Sequence, residues 1–246
     1  MISQIITFVV TIALAVYVMR QVRKPDKFAG RAFLWAMNLS HSGLTDWGLR
    51  QVAIAKTFKV LDIGCGAGRT IQTLAGIASE GMVSGVDYAS GSVAVSRSKN
   101  AELVKNGRVD IREGSVSHLP FPDNSFDLAT AIETQYYWPD LVNDMKEVRR
   151  VLKPGGRLVV IAETYKGGRW DKLKAPVMKL LKSTHLSADD QRQLFASGGY
   201  DDIQIIENQK KGWICAIGRK PGDSQARNHL LNYEFRNCRS NLLNTW

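Results

Sequence analysis

One short stretch constrains the fold of this chain more than any other. Residues 60–70 read V-L-D-I-G-C-G-A-G-R-T, an apolar run that carries one acid, Asp62, and leads into three glycines at alternate positions. A helix-like run over residues 70–78 follows directly. The order strand, glycine turn and helix lets the backbone approach a nucleotide-like ligand closely, because glycine has no side chain and the first N–H groups of the helix point at the ligand. We therefore predict an α/β fold with a ligand site at this turn.

The spacing of the glycines disfavours one common class of nucleotide-binding enzyme. Gly64, Gly66 and Gly68 form G-x-G-x-G, whereas nicotinamide-dinucleotide folds place a pyrophosphate on G-x-G-x-x-G. Reductases of that class usually carry a Tyr-x-x-x-Lys pair as well, and the matching position after Tyr165 is Arg169. No other tyrosine in the sequence has a lysine at that spacing. We therefore discount a nicotinamide-dependent reductase.

A second acid follows the glycines at the distance expected for a ribose ligand. Residues 81–87 predict a second strand that ends at Asp87, about twenty residues beyond the turn. An acid at this place accepts hydrogen bonds from both ribose hydroxyls of a bound nucleoside. Tyr88 follows and is placed to pack against the adenine ring. In the alternative interpretation Asp87 only caps the next helix, residues 91–105, for which Ser90 is the predicted N-cap.

The rest of the chain continues the alternation of strands and helices. Further strands are predicted at residues 108–113, 128–132, 157–162, 202–207 and 212–219. Further helices are predicted at residues 139–152, which end at Lys153-Pro154-Gly155-Gly156, at residues 188–196, which Ser187 caps, and in part of residues 166–182, where Pro176 interrupts. Ahead of the first strand, Ser42-Gly43 predicts a break and Thr45 predicts the N-cap of a helix through Val52.

Two further strings carry a family resemblance. Residues 119–127 read L-P-F-P-D-N-S-F-D, and residues 147–156 read E-V-R-R-V-L-K-P-G-G. Together with the glycine turn, and in this order, they resemble the class I S-adenosylmethionine (SAM)-dependent methyltransferases of the family often labelled type 11, which includes quinone-pathway C-methyltransferases. The resemblance runs from about residue 44 to residue 220. It implies an α/β, Rossmann-like fold: a seven-stranded, mostly parallel sheet with helices on both faces and a C-terminal antiparallel hairpin.

The same resemblance implies SAM as the cofactor and a set of residues that hold it. In the turn these are Asp62, which orients the turn and the methionyl amino group, with Gly64, Cys65, Gly66 and Gly68. Nothing in the sequence gives the Cys65 side chain a role of its own. The ribose and adenine ligands are Asp87, Tyr88, Ser115 and Val116, followed by Glu133. Family members usually carry an acid where Ser115 stands, so its hydroxyl or the Val116 backbone N–H is expected to contact adenine instead.

Two clusters at the ends of the fourth and fifth strands are the candidates for the acceptor side. Residues 132–138 read I-E-T-Q-Y-Y-W and residues 162–165 read A-E-T-Y. Open α/β sheets bind ligands at such strand ends. Glu133 is the first candidate for a general base, because partial burial among aromatic rings raises the pKa of a carboxyl group. Glu163 and Tyr137 rank below it. In the alternative interpretation Glu133 hydrogen-bonds the cofactor or a backbone amide.

His41 is the last catalytic candidate. It is flanked by serines, and segments that precede the first strand often fold over the cofactor in this kind of enzyme. A structural or solvent-exposed role for a single histidine is the competing interpretation. No metal site is predicted, because the three cysteines are irregularly spaced and the sequence has no cluster of histidine and cysteine.

The amino-terminal segment predicts a membrane anchor. Residues 2–19 are almost uninterrupted apolar sequence, and 18 helical residues span about 27 Å, barely enough for a hydrocarbon core. The positive charges follow this run, at Arg20, Arg23, Lys24, Lys27 and Arg31, whereas a cleavable signal peptide has them in front. This order favours an uncleaved anchor with the remainder of the protein in the cytoplasm. The alternative is a buried or in-plane amphipathic helix.

These observations divide the chain into an anchor (residues 1–24), a helical cap or linker (25–57), a SAM-binding methyltransferase domain (58–220) and an appended tail (221–246). The predicted function is methyl transfer to a small, lipophilic acceptor at a membrane. A net charge of +10 leaves an RNA methyltransferase open, but residues 133–136 show no N-P-P-Y-like tetrapeptide, so no nucleic-acid partner is expected. A non-catalytic, membrane-associated SAM-binding protein is the third hypothesis. The oligomeric state is not readable.

Overall fold

A computed structural model of the protein describes residues 42–222. The α-helices are α1 (Ser42–Leu49), α2 (Arg69–Ile77), α3 (Ser90–Lys99), α4 (Ala101–Lys105), α5 (Leu141–Val151), α6 (Asp171–Leu180) and α7 (Ala188–Ser197), and a 3₁₀ turn covers Gln135–Tyr137. The strands are β1 (Lys59–Ile63), β2 (Met82–Asp87), β3 (Val109–Glu113), β4 (Phe126–Ile132), β5 (Leu152–Ala162), β6 (Asp201–Asn208) and β7 (Trp213–Arg219).

The strands form one sheet in the order β3-β2-β1-β4-β5-β7-β6. β3, β2, β1, β4 and β5 are parallel, and β7 runs antiparallel to both β5 and β6. The predicted sheet and its closing hairpin are therefore confirmed. The strand order reverses between β1 and β4, and a crevice at the carboxyl ends of strands forms at such a switch point. The glycine turn follows β1 at this point.

Helices cover both faces of the sheet. Strand side chains alternate between the two faces, so Leu61 packs with α5 and α7 on one side while Val60 packs with α1, α2 and α3 on the other. Met145 and Phe195 are the large buried side chains of the first core, and Leu74 is one of the second. The elements that carry the candidate site are thus fixed from two sides.

The predicted break ahead of the first strand is wrong. α1 begins at Ser42 and runs through Gly43, and Thr45 lies inside the helix with its side chain buried. The glycines of this helix allow close packing instead of ending it. A Cβ at Gly48 would stand 2.3 Å from the Ile161 Cδ1 atom of β5, so glycine lets the helix axis approach the sheet.

The predicted helix at residues 91–105 is two helices, and Ser90 is its first helical residue instead of its N-cap. Ala89 takes the N-cap position. The helix is interrupted at Asn100, whose buried side chain donates hydrogen bonds to the backbone oxygens of Gly68 and Ser96, both at 2.9 Å. Asn100 therefore ties the end of α3 to the glycine turn.

Two proline-containing segments also differ from the prediction. The K-P-G-G string lies within β5 as a bulge, because Phe126 pairs with Leu152 whereas Leu128 already pairs with Arg157. Pro176 lies inside α6, which continues to Leu180. Pro176 is exposed, so the helix carbonyl that it leaves unpaired can be hydrated.

Residues 166–187 leave the sheet after β5 and return close to where they left. The Lys166 N–H donates to the Leu186 oxygen at 2.8 Å, and Lys166 pairs with Ser187 in an isolated bridge. Ser187 caps α7 in a reciprocal capping box with Asp190, as its predicted capping role requires. The two ends of this excursion are therefore held together, and α6 lies within it.

Several predictions concern residues outside 42–222. They are the anchor at residues 1–24, most of the cap at 25–57, His41, and the tail beyond residue 222. Within the described part of the chain, no helix combines the length and the apolar character that a membrane crossing requires.

Candidate active site

The glycine turn has the left-handed backbone that its three glycines permit. Gly64, Gly66 and Gly68 have φ values of 73°, 51° and 75°. The N–H groups of Gly64 and Cys65 both donate to the Val86 oxygen of β2, at 2.7 and 3.1 Å. The turn is therefore fastened to the neighbouring strand, and α2 begins directly after it with Gly68 as its N-cap.

The turn lies against the end of β4. A Cβ at Gly64 would stand 2.4 Å from the Thr134 Cγ2 atom, so only glycine fits there. The Thr134 hydroxyl donates to the Ile63 oxygen at 3.1 Å, which joins the ends of β1 and β4. The residues predicted to bind the donor and those predicted to act on the acceptor are consequently neighbours.

Asp87 is buried and holds the turn through its carboxylate. Its Oδ2 accepts from the Gly66 N–H and its Oδ1 from the Ala89 N–H, both at 2.9 Å. Burial raises the pKa of Asp87, and these two hydrogen bonds oppose the rise. The hydrogen bond from Ala89 at the start of α3 is the one that the capping interpretation predicts. The hydrogen bond from Gly66 is additional and connects Asp87 to the glycine turn. Each oxygen retains a lone pair for a further donor, so a ribose role remains a prediction.

Asp62 is more deeply buried than its position beside the turn suggested. The Thr130 hydroxyl of β4 donates to its Oδ1 at 2.8 Å, so its described partner is a strand and not the turn. Burial raises the pKa of Asp62 to about 7. Cys65 is buried too, with its Sγ 3.9 Å from the Ser96 Oγ, and burial raises the pKa of its thiol well above the usual value. The inward Cys65 side chain leaves only its backbone for a ligand.

The predicted adenine residues lie beside Asp87. The Gly114 N–H donates to the Asp87 oxygen at 3.0 Å, which brings the residues after β3 to the end of β2. Ser115 is exposed and its hydroxyl accepts from the Ser117 N–H, whereas Val116 is buried. Tyr88 is 47% exposed. The structure therefore brings Tyr88, Ser115 and Val116 to the same edge of the sheet.

Two of the acceptor-side candidates, Glu133 and Glu163, belong to one hydrogen-bonded group. Glu133 follows β4 with a φ of 60°, and its Oε1 accepts from the backbone N–H of Glu163 at the end of β5. The Tyr136 hydroxyl lies 3.2 Å from the same oxygen and also accepts from the Thr164 N–H at 3.4 Å. Glu133 therefore accepts a hydrogen bond from a backbone amide, as the alternative interpretation of this residue predicted. Tyr137 packs edge-on against Tyr136, with ring centroids 6.1 Å apart.

The same surroundings make Glu133 a weak acid. Burial, followed by the negative charge of Glu163, raises the pKa of Glu133 to about 8. This agrees with the direction expected from its aromatic neighbours. The Lys174 ammonium of α6 is 3.0 Å from Glu163 and balances the second carboxylate. A group with this pKa can take a proton and release it near neutral pH.

Two residues, His185 and Asp171, join this group without any signal in the sequence. The His185 Nε2 lies 3.5 Å from the Thr164 Oγ1, and its Nδ1 lies 3.6 Å from the Asp171 Oδ1. Thr164 is buried and bonded to Tyr136, so the contacts continue to Glu133. The histidine stands about fifty residues after Glu133, and only the return of residues 166–187 to the sheet brings it there.

Comparison with known proteins identifies the domain. Residues 61–160 match a family model described as a methyltransferase domain. Residues 61–160 are therefore a methyltransferase domain. The chain is 32% identical over 136 residues to the sterol 4-C-methyltransferase of Caenorhabditis elegans, an alignment that covers 55% of this chain and 39% of that protein. It is 36% identical over 114 residues to the demethylmenaquinone methyltransferase of Lactiplantibacillus plantarum, covering 46% of this chain and 48% of that protein.

A solved structure agrees with this fold assignment. The crystal structure of a SAM-dependent methyltransferase from Aquifex aeolicus superposes with a TM-score of 0.64 at 20% identity, covering 76% of this chain and 97% of that one. The chain spans about half the length, or less, of the two curated relatives named above.

The residues of this methyltransferase domain fit SAM. A nucleoside with an amino-acid tail and no phosphate requires an acid for its ribose and a backbone that it can approach closely, and the turn offers both. Asp87 is the acid, and the left-handed turn around Gly66 is free of Cβ atoms at its glycines. Asp62, Tyr88, Ser115, Val116 and Glu133 remain the further predicted contacts.

Proposed function

We propose that this protein transfers a methyl group from SAM to a small, lipophilic acceptor at a membrane. The observation that carries the proposal is the group formed by Glu133, Tyr136 and Glu163 at the ends of β4 and β5. It lies directly beside the glycine turn, through the contact of Gly64 with Thr134. A weakly acidic carboxyl group and aromatic rings next to a methyl-donor site suit transfer to a group that loses a proton.

SAM, when bound, supplies a methyl group already activated on a positively charged sulfur. The residues of the chain orient the acceptor and handle its proton. We assign proton acceptance to Glu133, whose carboxylate is held by the Glu163 N–H and the Tyr136 hydroxyl. The rings of Tyr136 and Tyr137 are suited to contact an apolar acceptor or the positive sulfur. Catalysis would rest on orientation and in-line approach.

The names of the relatives support an apolar acceptor. One relative is named for a sterol and another for demethylmenaquinone, and both are lipophilic molecules. The predicted anchor at residues 1–24 and its basic flank would hold the domain at the cytoplasmic side of a membrane, where such molecules reside. The acceptor atom is left open, because fold does not fix substrate.

An acceptor screen tests the proposal. Full-length protein is incubated with methyl-labelled SAM and, separately, with membrane lipid extract, quinone extract and RNA. We expect label to enter an organic-soluble product in a lipid or quinone sample, and the matched variant Glu133→Gln to lose most of it. Label in RNA alone would replace this proposal by the nucleic-acid alternative. SAM binding by calorimetry without transfer to any acceptor would favour the non-catalytic hypothesis.

A deletion tests the anchor separately. Removal of residues 1–24 is expected to give a soluble protein that still binds SAM, whereas the full chain is recovered with membranes. Full-length protein that stays in the soluble fraction contradicts the anchor without touching the methyl-transfer proposal.

A further inference from the structure

α6 presents an apolar stripe to solvent. Trp170 at its N-cap is 41% exposed, and Leu173, Val177 and Leu180 are 70%, 53% and 66% exposed. Their spacing of three, four and three residues puts them on one side of the helix. On another side Met178 is buried and holds the helix to the domain. The stripe is thus a helix face without a described partner within residues 42–222.

Positive charge borders the stripe. At about 100° per residue, Lys172 and Lys179 lie on one flank of the stripe, and Lys174 lies on the other, where its ammonium is paired with Glu163. Residues 166–182 contain Lys166, Arg169 and Lys182 as well. The one acid of this segment, Asp171, faces the protein, where it accepts from the Gly167 N–H and pairs with His185.

Trp170 extends this surface onto the β6–β7 hairpin. Its indole N–H donates to the Lys211 oxygen at 3.1 Å, and the Arg169 guanidinium lies 5.0 Å from the centre of its ring. Lys210 and Lys211 at the hairpin are exposed. A tryptophan with a bound N–H and an exposed ring, among basic side chains, is typical of the boundary between headgroups and acyl chains.

The stripe stands next to the acceptor side of the site. On the same helix, Lys174 pairs with Glu163, and Asp171 pairs with the His185 that contacts Thr164. A surface that held α6 would therefore lie on the side of the domain where β4 and β5 end, with α6 next to the acceptor-side residues.

We propose that Trp170, Leu173, Val177 and Leu180 form a docking surface for an anionic lipid bilayer. The apolar side chains enter the headgroup boundary, and Lys172, Lys179 and Arg169 contact anionic headgroups. This inference deepens the proposed function, because it names the route by which a lipophilic acceptor reaches the site. The basic border favours an anionic surface over the other possible occupants, because a second copy would bring the same positive charge, and the basic end of residues 1–24 (Arg20, Arg23, Lys24) is also positive.

A fluorescent label reads the contact at this helix independently of the amino-terminal segment. Val177→Cys is introduced into the full chain together with Cys238→Ser, because Cys65 and Cys215 are buried and unreactive. The matched control carries the cysteine at Val104 of α4, 36% exposed and packed along β3 at the other edge of the sheet. Each labelled protein is mixed with vesicles of phosphatidylcholine alone or with added phosphatidylglycerol.

We expect the label at position 177 to shift to shorter wavelength and to lose iodide quenching with phosphatidylglycerol vesicles. The label at position 104 should change in neither respect. Lys172→Glu with Lys179→Glu should abolish the shift at position 177, whereas Lys105→Glu in α4 should leave it unchanged. A label at position 177 that stays quenched with both vesicles overturns the inference. A label already protected without vesicles also overturns it and indicates residues 1–24 or a second copy on this face.

This experiment measures no methyl transfer, so its failure and that of the proposed function are distinguishable. Where an acceptor is known, Val177→Glu with Leu180→Glu should lower kcat/KM at least tenfold for vesicle-borne acceptor. The same variant should keep its rate on acceptor dispersed in detergent. Equal losses in both assays would assign the stripe to folding of α6 and not to a lipid surface.

Discussion

The two halves of the site are built in different ways. The donor half, around β1 and β2, is made of backbone: glycines in left-handed conformations, two N–H groups on the Val86 oxygen, and one carboxylate that accepts two further N–H groups. The acceptor half, around β4 and β5, is made of side chains that come from residues 133–185. These backbone contacts of the donor half lie within residues 60–89, and the predicted adenine contacts Ser115 and Val116 follow β3.

This difference matches what each half is proposed to bind. A methyl donor that all relatives share suits backbone contacts, because a backbone position cannot change without changing the sheet. An acceptor that differs among relatives suits side chains, which can be replaced one at a time. The buried carboxyls show the same division: Asp87 is bonded to two backbone N–H groups, whereas Glu133 shares its surroundings with a second acid and a lysine.

The largest expected effect separates the halves directly. Glu133→Gln should lower kcat by about a thousandfold, because the amide cannot accept a proton, while the Kd for SAM stays within about twofold. The wild-type rate should rise with pH through about 8, since Glu133 acts only as the carboxylate, and the variant should lack this rise. Measurements are steady-state kinetics across pH and calorimetry with SAM.

Glu163→Gln is the matched control for that profile. The charge of Glu163 contributes to the raised pKa of Glu133, so its removal should move the rise in rate to lower pH. If the SAM affinity of Glu133→Gln falls in parallel with kcat, Glu133 belongs to the donor half, and the assignment of this residue to the acceptor is wrong.

The next effect tests the backbone character of the donor half. Gly64→Ala should lower the free energy of unfolding by about 3 kcal/mol, because the new Cβ adds the strain of a positive φ to a collision with Thr134. Gly107→Ala has a similar φ, 69°, and open space around it, so a loss of only about 1 kcal/mol is expected. Urea unfolding measures both, and equal losses would show that close approach to β4 is unimportant.

A smaller effect concerns the carboxylate of the donor half. Asp87→Ala removes the acceptor for Gly66 and Ala89 and the predicted ribose ligand, so the Kd for SAM should rise about a hundredfold. Asp110→Ala, on β3 and partly exposed, should leave the Kd unchanged. Unchanged affinity by calorimetry in Asp87→Ala would remove the ribose assignment.

The smallest effect is a change of pH dependence. The folded-state pKa of Asp62 lies near 7, above its unfolded value, so the native state binds the proton more tightly. Its contribution to stability is complete below about pH 4 and is lost as pH rises to 7 and beyond. The free energy of unfolding is measured with urea at pH 5 and at pH 8. The decrease between the two pH values should be smaller by about 2 kcal/mol in Asp62→Asn than in the wild type. Asp46→Asn, exposed on α1, should keep the wild-type slope.

The sequence predicted the donor half well and the acceptor half incompletely. The glycine turn, the strand ends at Asp87 and Glu133, and the closing hairpin depend on local patterns, and the structure has them near the predicted residues. Helix boundaries were predicted less well, because tertiary contacts decided them. Gly48 was needed for the approach to Ile161, and the buried Asn100 side chain interrupted a continuous helical pattern.

The position of His185 and the exposed side of α6 could not be predicted from the sequence, because they too depend on tertiary contacts. Nothing near His185 in the sequence indicates that it lies against Thr164, and the exposed side of α6 is visible only once Met178 is known to point inward. Both depend on how residues 166–187 return to the sheet. Only contacts between residues distant in sequence determine that path.

The two ends of residues 166–187 lie next to each other, so this segment forms a closed excursion from the sheet. Lys166 meets Leu186 and Ser187, so the chain enters and leaves at nearly one point, and Ser187 fixes the following helix by its own cap. We therefore expect that a change of length or charge between these residues leaves the register of the strands unchanged. Replacement of this segment is therefore expected to change the proposed acceptor side and lipid contact while the glycine turn and Asp87 keep their positions.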